Sequence, residues 1–589
     1  MSGRWADHEA SPDTAAPDIT PPDAAPPDIA PPDAAQSDAA TSDAATTGGL
    51  LRCWFRETGV RVPDTGEVRI PLPASGTALV AEVLHRSPTG HHRFGSVRLP
   101  GGASPNAVTV AALLSLEGSA GNAAEVTELL ARVADSQQRT TRHLRERRDS
   151  PEGASTPFLA AEQALVLGHP MHPTPNSRNG WSEQEAAAYS PELRGSFALH
   201  WFAADRSVVS SDGGPQARLE GFAPEVPEGT VPVPVHPWQA RSLLGTKGVR
   251  ALLDAGLLHD LGVQGPRWFP TSSIRTVYHP DAPVMLKFSL GLPITNSKRE
   301  NLRKELHRGV EIDRLLDAGL AGELAAAHPD FSIVRDPAWL TVDVPSDSPD
   351  GAESGWEVLL RDNPFGAQQR AACVAGLLAE RPELGGSALQ QVIDGLVERT
   401  GESRQQVAEQ WCARYFDHLV APVLWLYREH GVGLEAHQQN SLIGLDGDGW
   451  PNSGWYRDNQ GYYLSETRVA ELERFLPGVG IAGENRVDDA VIDERLGYYI
   501  GINNLIGLVG AFGSQGLADE RRLLALLRAR LREFSDLPLA AGLAESSSLR
   551  CKANLLTRLG GMDELVGPLE TQSVYVDIAN PFAEGESAA

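Results

Sequence analysis

Lysine is nearly absent from this chain. Among 589 residues it occurs only at Lys247, Lys287, Lys298, Lys304 and Lys552, and arginine supplies the rest of the 51 basic side chains. Where arginine is the habit, a retained lysine is a candidate for a task that needs a compact ammonium. Lys247 and Lys304 read as plain surface residues. Cysteine is scarce as well. Cys53, Cys373, Cys412 and Cys551 are scattered, with no Cys-x-x-Cys pair, which argues against a disulfide framework or a zinc ribbon. Positive charge as a whole is short: the formal net charge is −26. Non-specific binding to nucleic acid or to an anionic membrane is therefore not expected. No apolar run reads as long enough to span a bilayer, and the N-terminus lacks the basic-then-apolar order of a signal peptide. The expectation is a soluble cytoplasmic protein of several lobes.

What is present begins with a repeat. From Pro12 to about Thr47 aspartate recurs every five residues, from Asp13 to Asp43, in units such as PDIAP and SDAAT. A period of five matches neither helix nor strand, the slot for a large apolar residue mostly holds alanine, and no Lys or Arg lies between Arg4 and Arg52. Residues 1–47 are predicted to be a disordered, dispensable tail. Residues 48–168 read as a first lobe, with strands in VRIPL, TALVAEVLH and HHRFGSVRLP, one helix from Ala111 to about Arg148, and another from Thr156 to Leu167 stopped by Gly168. Residues 169–370 are rich in Pro and Gly with short strands. Residues 371–589 are strongly helical, with a long helix from Arg404 to His430 ending at Gly431. The fold class is mixed α/β with a helical C-terminal half and one site between the lobes.

Two clusters carry chemistry. In PTSSIRTVYHPDAPVMLKFSLGLPITNSKREN, strands are predicted over Ser273–Tyr278 and Val284–Leu290, with a helix opening at ITNSKREN. Ser273, Arg275 and Thr276 lie on the first strand. Lys287 lies inside the second, where a lysine is costly unless it meets an anion. Thr295 and Asn296 fall at the expected helix N-terminus and Arg299 one turn in, an anion-binding arrangement. The set suits a polyphosphate or carboxylate, and a solvated basic face is the plain alternative. In LEAHQQNSLIGLDGDGWPNSGWYRDNQG, Glu435, Asn440 and Asp458 form an oxygen-rich set that suits Mg²⁺ with nucleotide phosphates. Protein kinases combine a strand lysine, an Asn and an Asp by the same logic. For Asp458 alone, a turn residue is the plain alternative.

The segment GHPMHPTPNSRNGW, Gly168 to Trp181, holds two His-Pro pairs. Each proline pushes its histidine out of the helical region, so residues three apart face opposite ways and a shared zinc is not expected. The loop either presents His169 or His172 with Arg178 to a ligand, or packs on its prolines with the histidines as hydrogen-bonding spacers.

Together GHPMHPTPNSR, VHPWQ, SSIRT, KFSLGLPITNSKR, EAHQQN, RDNQG and CKANLLTRL, in this order from about Leu50 to Leu559, resemble the IucA/IucC family, the NRPS-independent siderophore synthetases. The resemblance implies a cupped-hand fold of thumb, fingers and palm, usually dimeric. It implies ATP-dependent adenylation of a carboxylate of citrate or a related acid, then capture by an amine or alcohol with release of AMP and pyrophosphate. By motif position it assigns Ser273, Arg275, Thr276, Lys287, Thr295 and Arg299 to the nucleotide and acid cradle. It assigns Glu435, Asn440 and Asp458 to Mg²⁺, His437 to the phosphates, and His169 and Lys552 to the acid. Where the family's first motif carries a lysine, this chain has Asn176, so either Arg178 substitutes or the pocket differs. A small-molecule kinase and a non-catalytic nucleotide-binding protein are the alternatives.

Overall fold

Folding starts well before the first large apolar residues. The computed structural model describes residues 32–119, 123–150, 153–178, 180–294, 297–345, 354–367, 369–562 and 573–583. Helix α1 spans Pro32–Thr58, so the part of the supposed tail from 32 to 47 is helical; the part from 1 to 31 lies outside the described residues. The five-residue repeat conceals a four-residue stripe. Asp38, Ser42, Thr46, Leu50 and Trp54 are all buried, one above another on a single helix face. Small side chains let that face approach closely, and its polar atoms find partners. Asp38 pairs with Arg148 at 2.5 Å, Ser42 donates to the Gln137 carbonyl at 2.7 Å, and Asp43 accepts from the Ala107 N–H and the Gln137 amide.

Strands β1 (Gly66–Leu72), β2 (Thr77–His85) and β3 (Arg93–Arg98) form an antiparallel sheet in that order. Helices α2 (Ala107–Gly118) and α3 (Ala123–Asp149) replace the single helix expected there, and α4 is only Pro157–Glu162. The chain then turns through Gly168, whose φ of 73° and contact with Pro175, 2.4 Å from where a Cβ would sit, require glycine. The core of this lobe, around Leu50, Phe55, Ile70, Leu114 and Val133, is completed by Leu555 and Leu559 from the far end of the chain. The C-terminal segment therefore closes the N-terminal lobe, and the divisions 48–168 and 371–589 do not enclose separate cores.

The middle of the chain supplies β4 (Phe197–Asp205), β5 (Val209–Asp212), β6 (Thr230–Val235), β7 (Leu258–Pro270), β8 (Thr276–Tyr278), β9 (Val284–Phe288), the hairpin β10 (Leu290–Ile294) and β11 (Ser297–Arg299), β12 (Phe331–Val334), β13 (Ala338–Val342) and β14 (Val358–Asp362). Eight of them make one antiparallel sheet in the order β5-β13-β14-β9-β8-β7-β4-β6. The predicted helix at ITNSKREN is instead the β10–β11 hairpin. The helix that follows begins at Arg303, and Leu306, Val310 and Leu315 form its buried face. Arg299 consequently sits on a strand, and Ser273 and Arg275 precede β8 rather than lying on it.

In the helical lobe β12 joins β15 (Ala371–Cys373), β17 (Ser441–Leu445) and β18 (Pro451–Arg457), while β16 (Val432–Leu434) belongs to a second small sheet. The helix from Arg404 to His430 widens over Phe416–Val420 and ends at Gly431. Contrary to the reading of the apolar runs, Asp489–Ser514 is long and apolar enough to cross a bilayer, but 78% of its apolar window is buried inside the protein. It serves as the core helix of this lobe.

Candidate active site

Four of the five His-Pro pairs in the described residues, all but His328-Pro329, use one local device. Proline has no N–H, so the first donor beyond it is the N–H two residues after the histidine. That N–H reaches the imidazole: Met171 to His169 Nδ1 at 3.1 Å, Thr174 to His172 at 3.1 Å, Trp238 to His236 at 3.2 Å, and Asp281 to His279 at 3.2 Å. A ring that accepts at Nδ1 carries its proton at Nε2 when neutral. The loop thus offers His169 as an Nε2–H donor at a large cavity, and burial, with Arg56 and Arg52 nearby, pushes its pKa down to about 4. His172 is buried.

His236 is the fully buried instance, packed against Tyr189 and Phe197. Burial pushes it down to about 3. Unfolded, this imidazole takes a proton below about 6.5; folded, only below about 3, so acidification through that window favours the unfolded chain. At pH 5 the cost is about 2 kcal/mol. His236→Asn keeps an acceptor for the Trp238 N–H and has nothing to protonate. Its melting temperature should fall less than the wild type's between about pH 7 and pH 5 in a thermal scan, and parallel slopes would refute the assignment.

The segment before β8 is bent by Ile274, which adopts a left-handed φ of 68°, a strained state for a β-branched residue. Ser273 Oγ accepts from the Thr276 N–H. The buried Arg275 donates to the Arg299 carbonyl and to Asn301 Oδ1, both at 2.9 Å, and burial lowers it to about 10. Thr276 faces Lys287 across the strands. The Lys287 ammonium is 3% exposed and is committed to protein partners: Asp458 Oδ1 at 2.6 Å and Asn459 Oδ1 at 2.5 Å. Burial lowers it to about 8 against the pull of Asp458, while Lys287 and Arg361 hold Asp458 well below the usual carboxylate range despite its burial.

Glu435 and Asn440 bracket the link from β16 to β17, and Asp458 follows β18. His437 Nδ1 accepts from the N–H groups of Gln439 and Asn440, leaving the proton on Nε2, 3.7 Å from Glu435 Oε1, and burial brings it to about 4. Asn440 donates its amide to the Glu435 carbonyl at 3.2 Å. Burial and the neighbouring Asp458 push Glu435 up to about 7. Two carboxylates and an amide carbonyl lining the same cavity are hard oxygen donors, and a divalent cation would offset both the burial of Glu435 and its repulsion by Asp458. The residues fit Mg²⁺.

Every described candidate lines one cavity of about 1510 Å³: His169, Ser273, Arg275, Thr276, Lys287, Arg299, Glu435, His437, Asn440, Asp458 and Lys552. Thr295 lies outside the described residues. Asn176 and Arg178 also border the cavity but are engaged in the loop itself. The Asn176 amide donates to Thr140 and to the Val166 carbonyl, and Arg178 to the Pro175 and Ser177 carbonyls and Glu192. In this structure Arg178 braces the loop. Sequence reasoning missed Arg361 and Asp336, a buried ion pair at 2.7 Å whose guanidinium also lies 3.6 Å from Asp458. On β14, Arg361 shares a strand face with Leu359, the partner of Lys287, a signal visible only once the strands are paired. It missed Arg52 too, which α1 brings to the cavity.

Comparison with known proteins gives a consistent picture. Residues 157–379 match the IucA / IucC family, and residues 409–567 match a ferric iron reductase FhuF-like transporter family. The rhizobactin siderophore biosynthesis protein RhbC of Rhizobium meliloti is 39% identical, covering 91% of this chain and 97% of that protein. The spermidine-citrate ligase of Bacillus anthracis is 35% identical over 90% and 96%. Among solved structures, ATP-bound aerobactin synthetase IucA of Klebsiella pneumoniae superposes with a TM-score of 0.80 at 27% identity, covering 92% of this chain and 99% of that one.

Proposed function

The chain belongs to the IucA/IucC family of siderophore synthetases, and we propose that it joins citrate to a primary amine through an acyl-adenylate. It is an ATP-dependent ligase of siderophore biosynthesis. The observation that carries the substrate reading is the convergence of strand, loop and hairpin groups on one cavity, cations facing carboxylates. A citrate carboxylate oxygen attacks the α-phosphorus of ATP. The bond from that phosphorus to the bridging oxygen breaks, and pyrophosphate leaves with the electron pair. The amine nitrogen then attacks the acyl carbon and loses a proton as AMP departs, leaving an amide. Citrate and an amine are favoured over other pairs because a full-length relative, the spermidine-citrate ligase, is named for that combination.

In this reading Arg275, Lys287 and Arg299, with Ser273, Thr276 and Thr295, fix the phosphates and the reacting carboxylate, so that developing charge meets donors already in place. His437 adds its Nε2–H on the phosphate side. His169 and Lys552 take the carboxylates of the acid that do not react. Glu435, Asn440 and Asp458 would hold Mg²⁺, which supplies neutralisation of phosphate charge when bound. The lobes around the cavity keep water from the acyl-adenylate. The enzyme is assigned as a cytoplasmic homodimer.

The test is product identity. With ATP, Mg²⁺, citrate and a panel of amines, the ligase reading expects AMP and pyrophosphate in equal amounts, dependent on citrate. ADP would establish the kinase alternative, and neither product would leave a nucleotide-binding protein.

A further inference from the structure

The three lobes meet at one carboxylate that does not line the cavity. Glu162 closes α4 and is completely buried. Its Oε2 accepts from both the backbone N–H and the hydroxyl of Ser272, at 2.9 and 2.7 Å. Its Oε1 is 2.8 Å from Arg457 Nη2. Arg457 in turn donates to the Gln439 carbonyl at 3.0 Å, and the Gln439 amide reaches back to Ser272 Oγ at 3.4 Å. Phe158, one helical turn before Glu162, lies under the guanidinium. The circuit is closed, and it is built from segments more than 100 residues apart in sequence.

Its endpoints set it apart from an ordinary lobe-to-lobe ion pair. Ser272 adjoins Ser273 and the strained Ile274 on the phosphate-facing segment. Arg457 adjoins Asp458. Gln439 lies between His437 and Asn440. Each arm of the Glu162 carboxylate therefore ends one residue from a group of the candidate site, one on the segment before β8 and one at the end of β18. A carboxylate with no exposure is costly unless its partners satisfy it, and here every partner is a neighbour of the chemistry.

We propose that Glu162 is a positioning residue, setting through Ser272 and Arg457 the spacing between the phosphate-facing segment and the oxygen-ligand wall. This rests on the assignment of those two walls to nucleotide phosphates and their cation. A shift of the walls of this kind penalises the transition state more than nucleotide binding. Glu162→Gln keeps the size and one acceptor oxygen but loses the charge that fixes Arg457. Ser272→Ala, at a part-buried position, removes the hydroxyl that donates to Glu162 and accepts from the Gln439 amide and Arg457, while the Ser272 N–H still reaches the carboxylate.

The experiment measures total ATP turnover, the Kd for ATP and the melting temperature for wild type, Glu162→Gln, Ser272→Ala and the double variant. We expect kcat to fall at least tenfold in Glu162→Gln and severalfold in Ser272→Ala, with the ATP Kd changed less than threefold. Because both changes cut one link, the double variant should fall little below Glu162→Gln alone. Wild-type kcat in both single variants, or losses that multiply in the double, would overturn the proposal. If Glu162→Gln does not fold, Ser272→Ala decides, since an unchanged kcat there refutes the link. Total turnover reads the positioning role whichever phosphate bond breaks, while the product, AMP or ADP, reads the proposed reaction separately.

Discussion

Asp458→Ala is expected to abolish turnover and to cost more stability than Lys287→Met. The two residues form one buried pair, yet they are not equivalent. Asp458 receives Lys287 at 2.6 Å and the Asn459 N–H at 2.8 Å, with Arg361 at 3.6 Å. Without Asp458, the Lys287 ammonium is left buried beside a guanidinium, with only the neutral Asn459 carbonyl as acceptor. Breaking a buried pair in this way costs about 3–5 kcal/mol. Without Lys287, Asp458 still has Arg361 at 3.6 Å, a guanidinium it shares with Asp336, and the Asn459 N–H. Lys287→Met should therefore lose roughly half as much stability while losing turnover by a factor of 100 or more, if its ammonium moves to phosphate during the reaction. The double variant Lys287→Met, Asp458→Leu replaces the pair by apolar volume and should melt above Asp458→Ala while remaining inactive. Melting temperatures in the order wild type, Lys287→Met, Asp458→Ala, with the double variant recovering, would establish this. An Asp458→Ala protein as stable as Lys287→Met would refute it.

The legible parts of the site were those whose chemistry is compressed into a few residues. A lysine between Leu286 and Phe288 signals a buried charge, and Glu435, Asn440 and Asp458 are acids and amides set between apolar strands. The chain's spacing announces them because the backbone alone brings Glu435 near Asn440. Arg361, Asp336 and Glu162 were not legible. Each is an ordinary charged residue whose meaning comes from partners on other elements, and a single sequence carries no record of those pairings. The helix near residue 300 was placed about seven residues early for a related reason. LGLPI can continue a strand as readily as lead into a helix, and the β10–β11 hairpin settles the matter only through contacts such as Gly291 N–H to Gln239. The change from a strand-rich middle to a helical C-terminal half was visible, whereas the return of Leu555 and Leu559 to the first lobe was not, since packing across about 500 residues leaves no local trace.

Removal of residues 1–47 is the second change expected to have a large effect, in the opposite sense to what composition alone implies. The repeat has almost no large side chains, and burial of alanine contributes little. The helix it forms nevertheless holds Asp43 against two donors, the Ala107 N–H that opens α2 and the Gln137 amide on α3. Asp38 neutralises Arg148 at the end of α3. Deletion takes these acceptors away from Ala107 and Gln137, removes Asp38 from Arg148, and uncovers the faces of α2 and α3 that α1 now shields. Each of these half-buried hydrogen bonds contributes about 1 kcal/mol, and with the uncovered helix faces the sum is a sizeable fraction of the stability of a lobe. The same helix supplies Thr41, Ala44, Ala45 and Gly48 to the cavity wall and carries Arg52, which donates to the Pro170 carbonyl in the loop that presents His169. The deletion should therefore lower the melting temperature by many degrees and reduce kcat even below that transition, where the protein remains folded. A milder variant separates the two effects. Asp43→Ala with Ser42→Ala removes the Asp43 and Ser42 bridges to α2 and α3 but leaves Asp38–Arg148 and the cavity wall in place, so it should lower stability with kcat near wild type. If deletion of residues 1–47 changed neither melting temperature nor turnover, the packing of α1 against α2 and α3 would contribute nothing to the folded enzyme, and the disorder expected from the repeat would be the correct description after all.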